Sequence, residues 1–376
     1  MMDKLNVILS GGGTGGHIYP AVAVAEALQR RLGDRVELLF VGAEGKMEME
    51  KVPALGYRIV GLPVAGLQRR LTLRNLAFPF KLWASYLKAR RVIKDFKADV
   101  AVGFGGYASA PVLWAAQLMG IPTIIQEQNS YAGKANKWLA SKATRICVAY
   151  EGAERFFPKD RIVLTGNPLR DRFARKGDYR REALEYFGLS ADKPVVLVVG
   201  GSLGTRTLNN MMKANVDRIV AEGKLQVIWQ TGKYYEREMD EFMSGRPADG
   251  IWRNAYIEQM DLAYAAADVV VARAGASTVS ELCLVGKPVI FVPSPNVAED
   301  HQTKNARALE EKGAAVLIPD ARAVTDVFPQ IEVLLGDPAR LEGMSKNILA
   351  LGISDSADRI VNEILASVGW RETEKA

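Results

Sequence analysis

The chain has 376 residues, 48% of them apolar and 24% charged, with a net charge of +6 at pH 7. That length is too great for one ordinary core and suits two domains, and the composition excludes disordered and fibrous classes. The charge is too small to imply a nucleic-acid partner, no apolar run approaches the ~18 residues of a membrane span, and the start lacks a signal-peptide core, so a cytoplasmic protein is expected.

Cys147 and Cys283 share no metal or redox spacing and read as buried hydrophobes. His17 and His301 are the only histidines, which argues against a histidine metal site.

Strand and helix signals alternate along the whole chain, which predicts a parallel sheet in each domain. In the first half strands are expected near 5–9, 36–41, 58–61, 99–102, 122–125, 144–148 and 161–164. The first strand runs into five glycines, Gly11, Gly12, Gly13, Gly15 and Gly16, then His17, and Pro20 is expected to open a helix over 21–32. Strand, glycine loop and helix start a nucleotide-binding unit, because glycines admit close backbone approach and helix starts offer unpaired N–H groups.

Several readings of this loop stay open. Gly11-x-Gly13-x-x-Gly16 satisfies the dinucleotide fingerprint, but the second strand ends in Val41-Gly42, with Glu44 the nearest late acid. A P-loop needs Lys where His17 stands. A sugar-nucleotide transferase would use a histidine here to meet a substrate hydroxyl, and a tight turn with a structural histidine fits equally well.

From Leu67 to Lys97 cations surround Leu76, Phe80 and Trp83, and Pro79 is expected to begin a helix. Aromatics rimmed by cations suit an anionic membrane surface, and a core-facing amphipathic helix is the plainer account. A second glycine turn, Gly103-Phe-Gly105-Gly106-Tyr107, follows the 99–102 strand and faces the same sheet edge.

Gly166-Asn-Pro-Leu-Arg170 reads as a boundary, after which the opening pattern recurs: Val195 to Val199, the glycine turn 200–204, and a helix from Thr205. Further strands are expected near 225–230, 254–257, 268–271, 288–292 and 314–318, with a last helix over about 355–368. Small residues before Ser277 leave room for a phosphate at a helix start. Glu281 can accept from both hydroxyls of a ribose, or it can close a capping box with Ser277 or Thr278. Gln302 is an amide able to bond sugar hydroxyls.

In this order, Gly12 to His17, Gly103 to Tyr107, Glu127-Gln-Asn129, Gly166-Asn-Pro168, Gly200 to Gly204 and Ser277 to Glu281 resemble the MurG family over about residues 5–365. The resemblance implies two Rossmann-like doubly wound α/β domains facing across a cleft, the GT-B architecture. Residues 1–166 would be the acceptor and membrane domain, joined by a returning helix within 350–368, and 167–349 the donor domain.

The implied activity is inverting transfer of N-acetylglucosamine from UDP-GlcNAc to lipid I, giving lipid II for peptidoglycan, at the cytoplasmic face of the bacterial membrane and with no cofactor. By the resemblance Thr14, Gly15, Gly16 and Asn129 line the sugar side, with Gly103, Gly105, Gly106, Tyr107 and Glu127 in the acceptor loops. Arg170, Ser202, Ile257, Ala276, Ser277, Thr278, Val279, Ser280, Glu281 and Gln302 match donor positions, Ile257 meeting uracil through its backbone and Glu281 the ribose. His17 matches the family's proposed base. Gln126 and His301 depart from residues common in the family. The chain lacks Asp-x-Asp, so backbone N–H groups, with Arg170, are expected to stabilise the leaving diphosphate. Two rivals remain: another UDP-sugar enzyme of the same architecture, a glycolipid transferase or an epimerase, and an NAD-dependent oxidoreductase.

Overall fold

A computed structural model describes residues 3–64, 78–169, 179–201 and 203–371. Leu76, Arg170, Ser202 and the basic stretch 67–77 lie outside the described residues. The chain divides into two compact units, one of Met1–Arg170 with Asp355–Ala376, the other of Asp171–Ser354.

The first unit holds a seven-stranded parallel sheet in the order β3-β2-β1-β4-β5-β6-β7. The strands are β1 (Leu5–Ser10), β2 (Val36–Ala43), β3 (Ile59–Leu62), β4 (Val100–Gly103), β5 (Thr123–Glu127), β6 (Arg145–Val148) and β7 (Ile162–Leu164). Its helices are α1 (Gly15–Leu32), α2 (Glu48–Ala54), α3 (Phe78–Phe96), α4 (Ser109–Leu118) and α5 (Lys134–Leu139).

Alternate residues of each strand enter different cores. Val7, Leu9, Val100 and Ile124 pack with α1 on one face, and Ile8, Ala101 and Ile125 pack with α3 and α4 on the other. A parallel sheet covered on both faces needs the nearly continuous apolar runs this sequence carries. The last helix, α14 (Ser356–Ser367), completes the first core with Ile360, Val361, Ile364 and Leu365.

The second unit has six parallel strands in the order β10-β9-β8-β11-β12-β13. They are β8 (Val195–Val199), β9 (Gln226–Gln230), β10 (Ile251–Asn254), β11 (Val269–Ala272), β12 (Val289–Phe291) and β13 (Val316–Leu317). Helices α6 (Arg180–Phe187), α7 (Arg206–Glu222), α8 (Glu236–Met243), α9 (Met260–Ala266), α10 (Ala276–Val285), α11 (His301–Glu310), α12 (Ala323–Leu335) and α13 (Pro338–Leu349) surround them.

In each sheet chain order reverses direction once, between β1 and β4 and between β8 and β11. Ligands of open α/β sheets bind outside the strand carboxyl ends at such a switch point. All four glycine-rich or small-residue loops that stood out in the sequence follow these four strands.

Two expectations are corrected. Helix α1 begins at Gly15, not after Pro20, with His17 N–H and Ile18 N–H donating to Thr14 O at 3.1 and 3.3 Å. Tertiary contacts of the glycine loop override the weak helix propensity of glycine, and Pro20 sits buried inside the helix. Strand β10 covers 251–254 rather than 254–257. It is a half-exposed edge strand of mixed polarity, and the apolar Ala255 and Ile257 that drew attention are buried just beyond it.

Candidate active site

The first unit presents three loop starts side by side, after β1, β4 and β5. His17 is the third residue of α1. Its Nδ1 lies 2.8 Å from Gly12 O and 3.3 Å from Thr14 Oγ1. A carbonyl oxygen only accepts, so Nδ1 carries a hydrogen, and in the neutral ring that leaves the lone pair on Nε2.

The second glycine turn packs directly against the ring. A Cβ on Gly105 would lie 3.0 Å from His17 Nε2, and one on Gly106 only 2.3 Å from Gly12 O. Both glycines have φ near +90° and +82°, so their lack of a side chain serves conformation and space together. Gly15 and Gly16 form the first turn of α1, and Thr14 caps it with extended φ and ψ. Gly103 leaves room for Leu113, and Tyr107 is exposed.

Glu127 proves to be a loop organiser. Its Oε1 accepts from Asn129 N–H at 3.1 Å, and its Oε2 accepts from Gly133 N–H at 2.9 Å and Asn136 Nδ2 at 2.8 Å. It is buried, and its hydrogen bonds fix the loop that carries Asn129. Gln126 closes a buried amide network: its Nε2 donates to Asn167 Oδ1 at 2.9 Å, and Asn167 Nδ2 donates to Gln128 O at 3.0 Å.

Glu48 was not singled out by sequence. It is fully buried at the start of α2 and accepts from Gly13 N–H at 2.9 Å and Ala43 N–H at 3.0 Å. In the sequence it is indistinguishable from nearby Glu50, because only folding brings it beneath the glycine loop. Glu44, the late acid of the dinucleotide reading, instead pairs with Lys88 at 2.8 Å on the surface.

In the second unit, Gly275 caps α10 and no side chain bonds the helix start, so the capping-box reading of Ser277, Thr278 and Glu281 does not hold. Glu281 Oε2 accepts instead from Tyr264 O–H at 2.8 Å. Tyr264 was hidden in an apolar stretch and is 1% exposed. Ser277 Oγ is buried with no hydrogen-bond partner. Ala276, Thr278, Val279 and Ser280 complete the first turns of α10.

Gln302, second in α11, accepts at Oε1 from Ser294 N–H at 2.8 Å, which leaves its amide N–H₂ as the donor end. Ile257 is buried in the segment after β10. Arg273 was also missed. It donates to Val292 O at 2.7 Å and Pro293 O at 2.9 Å and pairs with Asp320 at 2.6 Å. A lone cation at the end of the apolar strand β11 was the available signal.

On the first unit's surface, Phe80 is 79% and Trp83 57% exposed on α3. Trp83 stacks on Tyr86 at 5.3 Å, Tyr86 meets Trp114 at 4.5 Å, and Trp114 meets Trp138 at 5.6 Å. Among the described residues no helix is long and apolar enough to cross a membrane, and no three His, Cys, Asp or Glu side chains group as metal ligands.

Known proteins match nearly the whole chain. The glycosyltransferase family 28 N-terminal domain matches residues 7–148 and the family's C-terminal domain residues 195–360. A UDP-N-acetylglucosamine–N-acetylmuramyl-(pentapeptide) pyrophosphoryl-undecaprenol N-acetylglucosamine transferase of Parabacteroides distasonis is 53% identical, covering 97% of this chain and 98% of that protein. The crystal structure of MurG from Acinetobacter baumannii superposes with a TM-score of 0.78 at 31% identity, covering 96% of this chain and 99% of that one. A UDP-GlcNAc 2-epimerase from Neisseria meningitidis shares the fold, with a TM-score of 0.66 at 15% identity, covering 96% of this chain and 100% of that one.

Proposed function

The chain belongs to glycosyltransferase family 28, and from that premise we propose that it transfers N-acetylglucosamine from UDP-GlcNAc to undecaprenyl-diphospho-MurNAc-pentapeptide (lipid I), forming lipid II. The relative from Parabacteroides distasonis, named for this transfer and matched over nearly the full length of both chains, supports it.

The reaction is a single inverting displacement. The acceptor hydroxyl oxygen forms a bond to the anomeric carbon, and the bond from that carbon to the UDP β-phosphate oxygen breaks. UDP leaves with the electron pair, and the hydroxyl proton passes to a base.

The base is His17, and the observation that carries this assignment is the 2.8 Å contact of Nδ1 with Gly12 O. It holds the hydrogen on Nδ1 and the lone pair on Nε2, the state a general base requires. On the first unit, Thr14, Gly15, Gly16 and Asn129 line the sugar side, and Gly103, Gly105, Gly106, Tyr107 and Glu127 belong to the acceptor loops.

The second unit holds the donor. Glu281 accepts from the ribose diol, held in place by Tyr264, and Ile257 meets uracil through its backbone. The start of α10 receives the diphosphate, whose oxygens would satisfy Ser277 Oγ, a hydroxyl that otherwise lacks a partner at a cost of about 1–3 kcal/mol. Gln302 donates through Nε2 to the sugar. Arg170 and Ser202 are assigned to the donor by the family resemblance alone.

The exposed Phe80 and Trp83 on α3 support a peripheral seat on an anionic, cytoplasmic membrane surface, where lipid I would be met.

The test is transfer of labelled N-acetylglucosamine to a lipid I analogue by the parent, His17→Ala and His17→Asn. Loss of the base should lower turnover about 100-fold or more with UDP affinity unchanged. Asn can donate a hydrogen bond but takes no proton at neutral pH, so near-parental turnover of His17→Asn would make His17 a positioning residue only.

A further inference from the structure

We propose that Glu48 is a positioning residue for the transfer step, acting on His17 through the single peptide group that joins Gly12 to Gly13. Glu48 Oε2 accepts from Gly13 N–H at 2.9 Å, and Gly12 O accepts from His17 Nδ1–H at 2.8 Å. The Gly13 N–H and the Gly12 C=O are the two ends of one conjugated, planar unit. The order is therefore carboxylate, N–H, C=O, imidazole.

Hydrogen bonds in such a chain polarise one another. Negative charge at Glu48 draws on the Gly13 hydrogen and moves electron density onto the Gly12 oxygen. That oxygen then holds Nδ1–H more firmly. The ring is fixed in the tautomer that leaves Nε2 basic, and the imidazolium formed on proton transfer is stabilised. A carboxylate bonded directly to a histidine does the same in metal sites and hydrolases.

The packing is built around this path. A Cβ on Gly12 would lie 2.1 Å from Glu48 Oε1, and one on Gly42 2.6 Å from Glu48 Cγ. A Cβ on Gly106 would lie 2.3 Å from Gly12 O. Three glycines thus clear space for the carboxylate and for the carbonyl it serves. The second oxygen, Oε1, is tied to Ala43 N–H at 3.0 Å, so the side chain is anchored at the end of β2. The charge of Glu48 reaches the ring through the Gly12–Gly13 peptide group.

This inference rests on His17 being the base, and the experiment separates the two. His17 and His301 are the only histidines, so ring NMR signals report His17 directly with His301 as internal control. Glu48→Gln keeps the size of the side chain and removes the charge. The His17 titration midpoint should fall by roughly 0.5–1 pH unit, because a nearby anion favours the imidazolium, while His301 stays put. The acid limb of the pH–kcat profile should move down with it, and kcat should fall about tenfold while KM for UDP-GlcNAc changes little. In a His17→Ala background Glu48→Gln should cost little more, since both changes act on one proton.

Glu48→Asp keeps the charge on a shorter arm and should move the His17 midpoint by a smaller amount, which serves if the Gln variant does not fold. An unmoved His17 midpoint, or fully additive losses in kcat, overturns the relay and leaves His17 as the base. Parental turnover in His17→Ala alone overturns the base assignment and the relay with it.

Discussion

Tyr264→Phe tests whether Glu281 is held for a ligand or merely packed. The phenol is 1% exposed, and its O–H donates to Glu281 Oε2 at 2.8 Å. Removing the oxygen leaves the ring and its packing in place. A hydrogen bond to a charged acceptor contributes about 1.5–3 kcal/mol, and part of that loss falls on folding and part on a ligand that needs the carboxylate oriented. For Tyr264→Phe we expect UDP affinity to drop by about 0.5–1.5 kcal/mol, roughly twofold to twelvefold in Kd. Glu281→Gln removes the charge itself and should weaken UDP by about 1.5–3 kcal/mol, roughly 12-fold to 160-fold. The double variant should lose less than the sum, because both changes act through one carboxylate. Isothermal titration of UDP with parent, singles and double gives the cycle, and thermal melts give the folding share. Unchanged UDP affinity in Glu281→Gln would refute the ribose contact. Unchanged affinity in Tyr264→Phe with only a lower melting temperature would make Tyr264 a packing residue.

Turnover should survive EDTA without added divalent ion, and loss that metal restores would overturn the backbone-only account of diphosphate stabilisation. Replacing Phe80 and Trp83 by Ser should lower binding to anionic vesicles while UDP binding stays, and binding should weaken with salt; equal vesicle affinity for variant and parent sinks the membrane seat. Burial raises the Cys147 thiol and pushes Cys283 up to about 12 from an ordinary 9.0. Their folded-state pKa lies above the unfolded one, so the stability this allows is complete below about pH 9 and lost as pH rises beyond it, by about 1 kcal/mol per thiol per pH unit. Urea midpoints near pH 8 and pH 10, compared between the parent and a variant with both cysteines changed to Ala, should show a smaller alkaline loss in the variant.

Much of this fold was legible because its strands are buried on both faces and read as apolar runs between glycine turns. What failed was local and has physical causes. Strand β10 lies at an edge, so Ile251-Trp-Arg-Asn254 carries no apolar run, while Ala255 to Ile257 past its end does. Helix α1 starts among glycines because Gly106 and His17 pack against Gly12, a contact between distant segments that no local pattern encodes. Of the candidate site, the loops of unusual composition stood out in the sequence. Groups beneath them were not: Tyr264 looked like core, Glu48 like any helix-start acid, and Glu281 matched a capping pattern that Gly275 pre-empts.

The two units use one grammar, strand then glycine turn then helix, yet their loops suit ligands of different charge. In the first, the Gly13 N–H that would cradle a phosphate is already taken by the Glu48 carboxylate. An anion placed there would meet a buried acid, and like charges in a poorly hydrated site repel strongly. That argues against both a dinucleotide and a P-loop ligand at the first loop, whatever its glycine spacing, and suits an uncharged sugar hydroxyl beside His17. In the second unit no acid is bonded at the start of α10, Arg273 beside it is already paired with Asp320, and Ser277 Oγ lies at that helix start without a partner. There the field favours a diphosphate. Reversing this division gives a sharp expectation. Glu48→Gln, by removing the acid, should make the first loop more tolerant of anions, so inorganic diphosphate should inhibit the variant more strongly than the parent in competition with acceptor. Equal inhibition constants in the two proteins would mean that glycine spacing, and not the buried carboxylate, decides what the first loop admits.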